Sequence, residues 1–200
     1  MALNANKGIW SGHSALPPRT FTCGYSACGK DVGSYLGWKY HDPQFTSATI
    51  ATIYICPLCQ KPTLFDDAVP PIQTPGISFG RSVDHLPTDI DELYGEIRNA
   101  TSAQAYTSAV LSCRKMLMHI AVEKGAKENN TFAFYIKYLA DNHYAPPGSE
   151  AWVAKIKNSG NEANHEIKIM TKDEAEELVT FVQMLLTFIY EFPKKIIGAN

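Results

Sequence analysis

Two cysteine pairs restrict this chain more than any other feature: "CGYSAC" from Cys23 to Cys28 and "CPLC" from Cys56 to Cys59. A short loop between two cysteines turns the backbone back, so that both sulfurs can meet one ion. Two such knuckles offer four thiolates, the number that a tetrahedral zinc ion takes. The two-residue loop of "CPLC" does this best. The first loop is longer by two residues, and Gly24 permits a tight turn within it. The 27 residues between Cys28 and Cys56 suit a hairpin that brings the knuckles together.

Four protein ligands fill the coordination shell and leave no open position for water. A single structural Zn2+ held by Cys23, Cys28, Cys56 and Cys59 is therefore expected to fold its module and not to catalyse. The competing readings are four free buried thiols, or a redox pair at Cys56 and Cys59 that lacks a thioredoxin-like context. Five cysteines are few for a disulfide scaffold. The opening "MALNANKGIWSGH" lacks the basic-then-apolar order of a secretory signal, and no run is long enough to span a bilayer. A cytoplasmic protein without a membrane partner is the expectation.

At 45% hydrophobic and 19% charged residues, the chain can bury a core and is not disordered by composition. Its charge is uneven. Residues 1–65 hold five Lys/Arg against two Asp/Glu, and residues 66–200 hold thirteen against eighteen. This excludes a large basic footprint for nucleic acid but allows a small one at the front. There, "YLGWKYHDPQF" sets aromatics among basic residues that could stack on bases, or that simply cover a small module.

The hydrophobic period changes along the chain. "RTFTC", "ATIATIYIC" and "KPTLF" read as strands around the cysteines, and "VPPIQTPGISFG" (69–80) reads as a connector. From about residue 88 the period is helical. "LPTDIDELYGEIRNA" starts with acidic residues. Tyr106, Val110, Cys113, Leu117 and Ile120 then form one apolar stripe that Gly125 is placed to stop. A third helix spans 131–142, and a fourth begins near Ser149 and weakens at Gly160. The last is capped by Thr171 with Glu174, buries Ala175, Leu178, Val182, Leu185, Leu186 and Ile189, and ends about Glu191, ahead of Pro193.

Two histidines invite a catalytic reading. In "RKMLMH" Arg114 and His119 are five positions apart, which turns the two side chains about 140° apart on a helix. In "SGNEANHE" Asn161 and His165 are four apart and would share a face, so Asn161 could orient the imidazole and His165 could act as general acid or base. Equally, Gly160 could end one helix and Asn161 cap the next.

The cysteine pairs, "LPTDIDELY", "SAVLSCRKMLM", "GNEANHE" and the closing "EELVTFVQMLLTFIYEFP" together make the chain resemble the domain-of-unknown-function family 4145, over about residues 7 to 193. The first knuckle departs from the two-residue spacing associated with that family. The family is regarded as related to the HEPN helical bundles. Many of those are metal-independent ribonucleases that act as dimers and occur in toxin–antitoxin, CRISPR and anti-phage systems. The resemblance places the HEPN motif's Asn and His at Asn161 and His165. Its Arg would fall at position 160, where this chain has Gly160. The nearest upstream cation is Lys157, a point charge in place of a planar fork that could grip two phosphate oxygens.

The expected fold is α+β, mainly α. A small β-rich zinc ribbon (1–68) and a connector (69–87) precede a HEPN-like antiparallel bundle of about five helices (88–200). The expected function is a non-catalytic zinc-binding HEPN-like module that engages a protein or nucleic-acid (RNA) partner, with anti-phage defence implied by the resemblance. The alternative is a metal-independent endoribonuclease using His165, Asn161 and Lys157. A homodimer is implied by the same resemblance; Phe181, Phe188 and Tyr190, outside the main stripe of the last helix, could provide its surface or could equally complete a single-chain core.

Overall fold

The computed structural model describes residues 13–42, 45–66, 72–145, 154 and 169–197, with the side chains of 41, 42 and 45–50 left aside. It divides into two compact units, Met1–Ile77 and Ser78–Asn200.

The first unit is a five-stranded antiparallel meander in the order β1-β2-β3-β4-β5. Its strands are β1 (Ser14–Thr22), β2 (Asp31–Asp42), β3 (Phe45–Ile55), β4 (Pro62–Asp66) and β5 (Ile72–Thr74). Runs such as "ATIYI" favour strands because β-branched and aromatic side chains pack well on a pleated surface. Pro17 and Pro18 cannot donate to a ladder. They fall where the β1–β2 register shifts between Ala15 and Arg19, on an edge strand that can tolerate them. Leu16, Phe21, Cys23, Val32, Tyr54, Cys56 and Phe65 form the buried cluster. Within it Phe21 and Phe65 meet edge to face with ring centroids 5.2 Å apart.

The second unit holds α1 (Thr88–Ser102), α2 (Tyr106–Glu123), α3 (Phe132–Asp141) and α4 (Lys172–Leu186). Helix α2 lies against the other three, and its predicted stripe explains why: Val110, Cys113, Leu117 and Ile120 are all buried. Thr131 caps α3 by accepting from the Phe134 N–H. At α4 both arms of the predicted capping box form between Thr171 and Glu174.

The segment before α1 is tied down by polar contacts. Phe79 N–H donates to Thr101 Oγ1, Tyr94 O–H donates to the Arg81 carbonyl, and Arg81 pairs with the buried Glu191 at 2.8 Å. Glu191 also accepts from Lys195 and from the Asp84 N–H.

The expected bundle of about five helices is not what forms. Among the described residues there are five antiparallel strands and four helices, and the helix expected from Ser149 lies on residues outside those described. The β-rich part is as expected, but it is larger than a ribbon. β2 runs for 12 residues, and Ile72–Thr74 of the supposed connector adds an edge strand to β4.

The last helix also passes its predicted stop. After Leu186 the chain makes a π turn, Thr187–Glu191, in which the Phe192 N–H reaches back five residues to the Thr187 carbonyl. Helix then resumes over Phe192–Ile197. Proline breaks an α-helix because its ring meets the carbonyl four residues back. The wider turn just ahead of Pro193 removes that clash.

Candidate metal centre

In a meander, the β1–β2 turn and the β3–β4 turn emerge at the same end of the sheet. Cys23 and Cys28 sit in the first turn, Cys56 and Cys59 in the second, and the β2–β3 pairing brings the turns side by side. All four sulfurs lie within 4.8 Å of one another. Cys23 and Cys59 are separated by 3.7 Å, Cys28 and Cys56 by 3.9 Å. A disulfide needs about 2.05 Å, so these are free cysteines. Zinc–sulfur bonds of about 2.3 Å at tetrahedral corners require sulfurs about 3.8 Å apart. The donor set and its spacing therefore fit one tetrahedral ion.

Backbone closure is the same in both knuckles. Cys23 N–H donates to the Lys30 carbonyl at 2.9 Å, and Cys56 N–H to the Lys61 carbonyl at 3.0 Å. The residue after each second cysteine is left-handed, with φ of 54° at Gly29 and 60° at Gln60. The two additional residues of the first loop are absorbed in a turn where Cys28 and Gly29 both donate to the Tyr25 carbonyl.

Gly24 is needed for a reason other than the tight turn expected of it. A Cβ there would lie 2.2 Å from the Pro75 carbonyl oxygen and 2.4 Å from that of Gly76. The chain beyond β5 packs onto the knuckle, and only glycine leaves room.

Burial and backbone amides act on these sulfurs in opposite directions. Cys23 and Cys56 are buried, Cys28 and Cys59 half-buried. Burial pushes the Cys23 thiol up, against a hydrogen bond from the Tyr25 N–H. Burial also raises Cys59, against one from the Lys61 N–H. At Cys56 burial acts upward too, but the Cys59 and Leu58 amides outweigh it and the thiol is lowered. Amides directed at sulfur stabilise the thiolate, and a bound cation would offset the burial of four such charges.

Two supporting residues escaped sequence reasoning. The Lys61 ammonium lies 4.7 Å from the centroid of the Tyr25 ring, and the Tyr25 hydroxyl donates to the Pro62 carbonyl at 3.0 Å. These contacts link one knuckle to the other. A signal was present, since each pair is followed by one residue and then a lysine: "CGK" and "CQK".

Elsewhere the candidate residues are not assembled. Lys157, Asn161 and His165 lie outside the described residues. Arg114 is buried, whereas His119 is half-exposed beside Asp89 at 3.5 Å. Cys113 is a core residue of α2 whose thiol burial pushes up. Phe181, expected outside the main stripe, is fully buried. Phe188 is exposed, and the Tyr190 hydroxyl donates to Glu123 at 2.6 Å. Among the described residues no helix is long and apolar enough to cross a membrane.

Comparison with curated proteins and with solved structures gives no match to either. A family model does match, beginning within α1 and running through the last helix, so that the sheet and the four cysteines precede the matched span. Its match to residues 95–198 shows that the chain belongs to the family described as "Domain of unknown function (DUF4145)".

Proposed function

We propose that this chain is a non-catalytic binding module, with a sheet cross-linked by one structural zinc ion at Cys23, Cys28, Cys56 and Cys59, followed in sequence by a helical DUF4145 domain. The observation that carries this reading is the convergence of four sulfurs at separations that suit a tetrahedral zinc ion. When bound, zinc would supply a cross-link between the two turns. With four thiolates it would have no vacant position at which to activate water or substrate.

Register supports a protein partner over a nucleic acid. Directly paired residues share a face of the sheet. Trp38, Ile53, Leu64 and Thr74 form one row across β2 to β5, and Tyr40, Ala51, Asp66 and Ile72 form the next. Tyr40, Leu64 and Ile72 are exposed. Neither row contains a lysine or arginine, which phosphate contacts would require. An apolar, aromatic-bearing face of this kind is the chemistry of a protein contact.

Elemental analysis of the purified full chain tests the metal. About one zinc per chain is expected, and Cys56→Ser should lose most of it. A metal-free wild type that keeps its folded sheet would refute the reading.

A further inference from the structure

Arg114 lies in the middle of α2 and is only 7% exposed. Its guanidinium carbon sits 4.5 Å from the ring centroid of Phe132, the first residue of α3. That ring face offers an electrostatic contact but no hydrogen-bond acceptor of ordinary strength. Nη1 is sealed from solvent and has no hydrogen-bond partner. Burial draws the proton affinity of the group below the ordinary arginine range, and among the described residues no carboxylate pairs with it.

The same unit satisfies other arginines. Arg98, equally buried, donates Nε to the Gly80 carbonyl at 3.0 Å, and Arg81 meets Glu191. The first turn of α3 gives Arg114 no help either. Helix N-termini carry spare N–H donors and the positive end of the dipole, so they add to a cation's field and do not offset it.

A desolvated guanidinium with no counter-charge among the described residues is a standing cost that an apolar side chain of similar length would not incur. Arginine at this point is explained if something negative comes to it. We propose that Arg114 is the receptor for an oxyanion, a phosphate or carboxylate group, bound at the junction of α2 and α3. The planar fork of a guanidinium matches two oxygens of either group. Such a site would lie in the family-matched span and is independent of the thiolate centre.

The test uses the full chain. Thermal unfolding of the helices is followed by far-ultraviolet circular dichroism in inorganic phosphate, in acetate, and in chloride at matched ionic strength. Wild type should show a saturable rise in midpoint of about 3–5 °C in phosphate or acetate over chloride. Whichever anion gives the larger rise identifies the group. Arg114→Met keeps the reach of the side chain and removes its charge. It should unfold at or above the wild-type midpoint in chloride and lose the anion-dependent rise. This variant also subtracts any general stabilisation by phosphate as a salt. If Arg114→Met does not fold, Arg114→Lys serves instead: a point charge cannot grip two oxygens, and the rise should at least halve. A wild type with no rise in either anion overturns the proposal. So does a rise of equal size in the variant.

Discussion

Stripping the chain of metal with a strong chelator is expected to unfold the sheet and leave the helices folded. Besides Cys23 and Cys56, the buried cluster of the sheet unit consists of Leu16, Phe21, Val32, Tyr54 and Phe65. Burying one such side chain contributes about 1.5–3 kcal/mol, so the five together contribute roughly 8–15 kcal/mol. A structural zinc on four thiolates contributes on the order of 10–16 kcal/mol near neutral pH, as much as all five. Net domain stability is only about 5–15 kcal/mol. Loss of the ion therefore removes the whole margin of the sheet unit. The helical unit has its own buried cluster, in which no residue belongs to the thiolate centre. Amide NMR separates the two outcomes. Upon chelation the signals of Val32, Gly33 and Gly37 in β2 should collapse to random-coil positions. Those of Ala109 and Leu117 in α2 should persist. A β2 spectrum unchanged after complete metal removal would show that apolar burial alone holds the sheet, and the reasoning would fail.

Three further outcomes follow from particular contacts. Gly24→Ala forces a Cβ against the Pro75 and Gly76 carbonyls. Overpacking of that kind costs about 1–3 kcal/mol, so zinc affinity measured by chelator competition should fall roughly 5- to 150-fold. Glu191→Gln removes a buried carboxylate from Arg81, Lys195 and the Asp84 N–H; because both cations are about half exposed, thermal unfolding should show a loss of only about 1.5–3 kcal/mol. The same contacts, Arg81 first, hold the Glu191 carboxyl down to about 2. A depressed folded value gives stability that is complete above the ordinary carboxylate range and is lost as pH falls towards 2. The acid limb of the wild-type stability profile should therefore be steeper than that of the variant. Finally, purified protein should leave mixed RNA intact, and cleavage that disappears in His165→Ala would replace the binding reading with a nuclease.

Local chemistry made much of this structure legible in the sequence. Cysteine spacing announced the four-sulfur cluster because knuckle geometry is set within a few residues. The Thr171–Glu174 box and the α2 stripe were equally readable, since capping and helical periodicity are local as well. What escaped depends on distant partners. Ile72–Thr74 is a strand because β4 offers it an edge, which the surrounding prolines conceal. Gly24 is required by a backbone some fifty residues away, so its own turn could not reveal the reason. Pro193 misled differently. It stops a regular α-helix, but a π turn lets the helix pass, and no local signal distinguished the two.

The unequal loops bear on the nature of the centre. If loop length positioned the sulfurs, the two additional residues of "CGYSAC" would displace one of them and spoil the tetrahedron. They do not, because both knuckles are closed by the same bond, from the first cysteine's N–H to the carbonyl of the lysine two residues past the second. That bond and the left-handed residue preceding the lysine fix where each pair of sulfurs points. The surplus residues are taken up in the turn closed on the Tyr25 carbonyl, and Tyr25 in turn anchors Lys61 and Pro62 of the opposite knuckle. Tyr25 of the longer loop thus links the first knuckle to the second. It braces the two turns against each other, which a cross-link needs and an open catalytic metal site does not.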